Sequence, residues 1–241
     1  ELPSNPLIEG VWSMLGRAPL PASIFALSFG LLLEAWFLAN AMANIDVTME
    51  EIMIVLVAYG TTAVFGALIL LGASAIWLAV LKESSEGNNK LYDPPGLMFL
   101  DWAGECFYVV FSTALAIAPG MLIWRFVPNL PPLVGPLAAA MSWLTLFPVV
   151  LLSQLQNGSP LEFFSPRLGS SLWKCPGPWM LFYFEAVLIL GGCAGAVIGL
   201  QILSPWLVVV SVGLVSLASF LYFRLLGRLA WWLAELMPVE E

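Results

Sequence analysis

The chain contains no histidine. Without an imidazole it has no histidine ligand for haem or zinc, no serine–histidine or cysteine–histidine couple, and no side chain that ordinarily titrates near neutral pH. Charge is nearly as scarce. Lys, Arg, Asp and Glu together make up 10% of the 241 residues, against roughly a quarter in a soluble domain. The eight basic residues are scattered and the net charge is −8, which excludes nucleic acid as a partner, because phosphate binding requires clustered Lys and Arg. The three cysteines, Cys106, Cys175 and Cys193, form no C-x-x-C pair. Cys106 and Cys193 fall inside apolar runs, so they read as small buried hydrophobes, not as a disulfide framework or a metal knuckle. No metal site and no cofactor is expected.

What the chain does have is apolar length. Hydrophobic residues make up 61% of it and the mean hydropathy is +0.94, so the expected solvent is a lipid bilayer. The first residue, Glu1, is not a methionine, and a segment ahead of it is expected.

A membrane-spanning helix needs about 20 mostly apolar residues. No charge occurs in the 30 residues from Ile52 to Leu81, the 19 from Cys106 to Trp124, the 36 from Phe126 to Leu161, or the 38 from Ala186 to Phe223. The last run is too long for one crossing. Ser204-Pro205 divides it, because proline cannot donate the next helical hydrogen bond and biases its predecessor away from the helical region. Another span opens after Pro19 and Pro21 and is interrupted only by Glu34. The reading is an all-α polytopic bundle of six spans, at about 22–43, 54–81, 98–124, 133–155, 179–203 and 206–226.

Charge supports that count, since cytoplasmic loops are enriched in Lys and Arg. Six spans place Arg17, Lys82, Lys90, Arg167, Lys174, Arg224 and Arg228 on one side and only Arg125 on the other. Both termini are then expected in the cytoplasm. Residues 1–21 form a tail in which Leu7, Ile8, Val11, Trp12 and Leu15 share one helical face, as in a helix lying along the membrane surface. Residues 227–241 read as an interfacial tail anchored by Trp231 and Trp232, or equally as the sixth span continuing into the headgroups. The polar stretches 82–96 and 156–178 are expected as irregular cytoplasmic connections.

Charges within hydrocarbon are candidate functional groups, because one at the midplane costs at least about 2.5 kcal/mol. Glu34 falls roughly 15 Å into the first span and Glu185 about 10 Å into the fifth at 1.5 Å per residue. Asp101 and Glu105 occupy the first turns of the third span. All three helices begin on the cytoplasmic side, so these four acids are placed to converge in that half of the bundle. Asp101, Glu105, Tyr108 and Ser112 form a polar stripe expected to face protein or water. With no buried base nearby, clustered carboxylates there would exchange protons or hold a hard cation. The competing reading is structural: solvation at the surface, or a protonated Glu34 bonded to a neighbouring helix.

Gly191, Gly195 and Gly199 repeat every fourth residue on the fifth span and permit close helix approach. A helix of the same chain is the preferred partner, and another subunit the alternative. Pro119, Pro136 and Pro148 are candidate kinks.

The paired N-P-A boxes of aquaporin-like channels, the P-x-[DE]-x-x-[KR] repeats of mitochondrial carriers and a G-K-[ST] phosphate loop are all missing. The expected function is therefore a non-catalytic integral membrane subunit or scaffold with other membrane proteins as partners. A small transporter or channel using the intramembrane carboxylates is the alternative. No enzymatic activity is expected.

Overall fold

Helices longer than a bilayer is thick dominate the chain because apolar segments in lipid must satisfy their backbone hydrogen bonds internally. The computed structural model describes residues 28–30, 32, 49–88, 99–127, 131, 133–204 and 207–237. Within them lie α1 (Met49–Ser85), α2 (Phe99–Phe126), α3 (Val134–Asn157), α4 (Pro166–Lys174), α5 (Pro176–Leu203) and α6 (Val208–Leu236). Residues 28–30 and 32 are helical as well, and no strand occurs among the described residues. Five helices, α1, α2, α3, α5 and α6, are long and apolar enough to cross a membrane. The molecule is an all-α, multi-pass membrane protein, with spans two to six close to where the charge-free runs put them. Most of the expected first span, and the N-terminal tail with its surface helix, lie outside the described residues.

Helix ends follow local chemistry. α5 stops at Leu203, where Ser204 adopts the extended conformation (φ −164°, ψ 132°) that a following proline favours. α3 ends at Gly158, left-handed at φ 66°, whose N–H returns to the carbonyls of Gln154 and Leu155. Pro119 and Pro148 sit inside helices that continue through them. Pro136 lies in the first turn of α3, where its missing N–H is not needed.

Two sequence expectations are corrected. The 156–178 connection is not irregular, because it contains α4. Pro166 opens that helix, and Leu168 and Ser171 are buried on its inner side. A short helix with one buried face persists through such packing, not through its length. In the 82–96 connection the correction covers only the start: α1 runs on to Ser85 and buries Glu83 and Ser84, residues 86–87 are turn, and residues 89–96 lie outside the described residues. Helical structure pairs the backbone groups that an irregular loop at this depth would leave exposed. At the other end, α6 is unbroken to Leu236, so the segment from 227 to that point is helix continuous with the last span.

α1 and α6 run parallel, since Trp77 meets Ser219 and Phe223 while Leu81 and Ser84 meet Gly227. Around the bundle the packed neighbours are α3–α2–α1–α6–α5, with α4 bridging α3 and α5 at one end. Lipid tails are as apolar as leucine, so close fit must hold these helices together instead of removal from water. Close fit is visible at glycine. A Cβ on Gly227 would collide with the Leu81 carbonyl, and one on Gly120 with the backbone at Ala138.

The centre is aromatic. Trp143 stacks on Phe147 and Tyr222 with centroids 4.9 and 5.4 Å apart, and Trp77 stacks on Phe223 at 5.1 Å. Phe182 closes on Tyr222 at 5.8 Å. Residues from α1, α3, α5 and α6 thus meet in one layer, and each such ring pair contributes about 1 kcal/mol.

Candidate functional site: the buried charges at the basic end

The end of the bundle formed by the C-termini of α1, α3 and α6, the N-termini of α2 and α5, and α4 carries Lys82, Arg167, Lys174 and Arg228. Polar groups enter the protein there at three levels.

The outermost level ties the connections down. Gln156 accepts a bond from the Ser165 hydroxyl at 2.9 Å, and the Asn88 side-chain amide donates to Glu83 at 3.0 Å. The Arg167 guanidinium donates through Nη2 to the carbonyl of Met237, linking α4 to the end of α6. Trp179 donates to Ser171 at 3.0 Å, which docks α4 on α5.

At the second level Gln154, fully buried on α3, accepts a 2.6 Å bond from Ser112 of α2 and donates at 2.8 Å to the Pro160 carbonyl. Ser112 belongs to the polar stripe read on this helix. Its face does turn inward: Val109, Ser112 and Ala116 are buried, Tyr108 packs against the core, and one carboxylate oxygen of Glu105 is shielded from solvent.

The deepest level is charged. Glu185 on α5 is buried, as is Arg224 on α6. Arg228, one turn from Arg224, lies within electrostatic range of both. Glu185 is nine residues from the start of α5 and Arg228 eight from the end of α6, so both lie about 13 Å from their helix ends at 1.5 Å per residue. Arg224 flanks Gly227 on the other side, and Gly227 faces Ser84, the neighbour of buried Glu83.

The candidate acids are only partly brought together. Glu34 lies outside the described residues, as does the side chain of Asp101. Glu105 and Glu185 stand on α2 and α5, which do not form one of the main packed pairs. Among the described residues no three His, Cys, Asp or Glu side chains converge on a metal-sized site. The premise that no base lies near the acids is overturned, because half-buried Arg228 lies within electrostatic range of Glu185. Sequence reasoning counts both Arg224 and Arg228 among the basic charges at the C-terminal, cytoplasmic end of the last span. Their spacing of four puts both, with Glu235, on one helical face, but it does not say which helix that face meets.

The fourfold glycine face is open among the described residues. Nothing among the described residues lies within 4 Å of a Cβ at Gly191, Gly195 or Gly199. The preferred reading, packing on a helix of the same chain, therefore has no described partner. The three cysteines are free thiols, and each is only partly buried, short of the burial expected of small hydrophobes.

Fold and site together define a polytopic helical membrane protein with buried, partly compensated charge at one end. Set against known proteins, the chain matches no family model, no curated protein and no solved structure.

Proposed function

We propose that this protein is a non-catalytic integral membrane subunit that contributes helices to a larger assembly, and that α5 is its contact helix. The observation that carries this reading is the inequality of the spans. In its most apolar stretch α6 has 44% of residues buried inside the chain, whereas α5 has 6%. The exposed side of α5 includes the glycines spaced by four, a pattern that suits a second helix better than lipid. Buried Glu185 on α5 and half-buried Arg228 on α6 fit the same role, as opposite charges on two helices fix the register of one on the other.

A transport reading, with a cation or proton path along Glu34, Asp101, Glu105 and Glu185, has less support because arginine accompanies Glu185. The experiment for the subunit reading is gentle solubilisation of the native membrane, followed by sizing and mass spectrometry. A defined complex larger than one chain is expected. A monomer that carries no other protein would sink the proposal. In proteoliposomes the purified chain is expected to conduct no more than protein-free vesicles, and flux that falls on Glu34→Gln would favour transport instead.

A further inference from the structure

At the basic end a cavity of ≈ 290 Å³ opens between α1, α3, α4 and α6. Its walls are mostly leucine and alanine, including Leu152, Leu168, Leu233 and Ala234, and the only charge lining it is Arg167. The volume stands at the lower edge of the range for small-molecule sites, right for a single hydrocarbon chain and small for a complete lipid. Ser85 and Gln156 add polar groups to the lining.

Arg167 is tethered where it lines the cavity. Its Nη2 donates to the Met237 carbonyl. Guanidinium is a planar fork with five donors, so anchoring one nitrogen orients the others without exhausting them. Fixed planar donors beside an apolar slot suit one ligand chemistry, an anionic head on a hydrocarbon tail, because arginine pairs with phosphate oxygens through parallel charged hydrogen bonds.

The surroundings point to the bilayer as the source. Phe163, Phe164 and Trp173, beside and on α4, are 53%, 59% and 89% exposed. Exposed aromatics next to basic residues at the ends of spans are characteristic of the headgroup level, and basic pockets between membrane helices are known to take anionic headgroups. We propose that this cavity binds one acyl chain of an anionic phospholipid, with the phosphate seated on Arg167. The inference is independent of the subunit reading, since a monomer has the same cavity.

The test uses the purified full chain in detergent, with native mass spectrometry and thermal unfolding as readouts. Three probes are compared: phosphatidylglycerol, phosphatidylcholine with the same acyl chains, and inorganic phosphate. Phosphatidylglycerol is expected to be retained and to raise the unfolding temperature, while the other two do neither. Arg167→Gln should weaken phosphatidylglycerol retention about tenfold, as for loss of one charge-assisted hydrogen bond, and Arg167→Lys should recover part of it. Ala234→Trp fills the slot from an exposed position on α6 and should lower retention without touching Arg167, which keeps the test decisive if Arg167→Gln fails to fold. Equal retention of phosphatidylcholine would overturn the proposal. So would equal stabilisation by inorganic phosphate, or unchanged phosphatidylglycerol retention in folded Ala234→Trp.

Discussion

α5 and α6 are consecutive, of nearly equal length and similarly apolar, yet they occupy opposite environments. α6 is packed by α1 on one side and α5 on the other, buries Tyr222, Arg224, Leu226 and Gly227, and brings aromatic side chains into the central layer. α5 touches α6 and α4 and leaves Phe184, Leu188, Ile198 and Ile202 exposed. Apolarity measures fitness for lipid, and it does not distinguish a helix that lipid surrounds from one that protein surrounds. The glycines make the same point. Those at Gly120 and Gly227 permit helix contact although neither belongs to a fourfold repeat, while the repeat at Gly191, Gly195 and Gly199 stands open among the described residues.

Substitutions that act differently on the two helices sharpen this contrast. Gly227→Leu forces a side chain into the Leu81 carbonyl, and overpacking with no room to relax is expected to destabilise the detergent-solubilised chain by about 3 kcal/mol. Thermal or SDS-driven unfolding measures it, and an unchanged midpoint would break the account of the α1–α6 contact. Glu185→Ala removes the carboxylate within electrostatic range of Arg228. Loss of one partner from a fully buried pair is severe, but Arg228 is half-buried, so a loss of about 2 kcal/mol is expected. Arg228→Leu in that background should restore part of the loss, as two compensating charges require.

Gln154→Leu removes both the Ser112 and Pro160 bonds. Interhelical hydrogen bonds in membranes average about 0.6 kcal/mol, so a loss near 1 kcal/mol is expected. Gly195→Leu should give the smallest effect on the isolated chain, below about 0.5 kcal/mol, because its Cβ direction is unobstructed. If the subunit proposal holds, the same substitution should release the chain from its proposed complex in native membranes, as seen by a shift to smaller size. A large destabilisation of the isolated chain would mean that α5 has an intramolecular partner on that face.

The spans were legible because charge is excluded from hydrocarbon so strongly that gaps between charges mark the helices. The division at Ser204-Pro205 was legible because a proline restricts its predecessor whatever the tertiary structure. What escaped was set by packing. Glu83 and Ser84 read as loop because they are polar, yet α1 carries them to a buried position beside α6. α4 escaped because nine residues show too little periodicity to stand out, although Pro166 followed by Leu168 and Leu172 outlines it. Of the candidate site, the inward face bearing Tyr108 and Ser112 was readable from helical spacing. The place of Arg228 near Glu185 was not, because which helix lies against α5 is a property of the bundle and not of any segment.

The most direct test of the central claim, that another protein covers the glycine face of α5, is a photoreactive amino acid at position 195 irradiated in native membranes. The expected product is a discrete protein–protein adduct of fixed mass that is lost on Gly191→Leu. Adducts to lipid alone would contradict the claim.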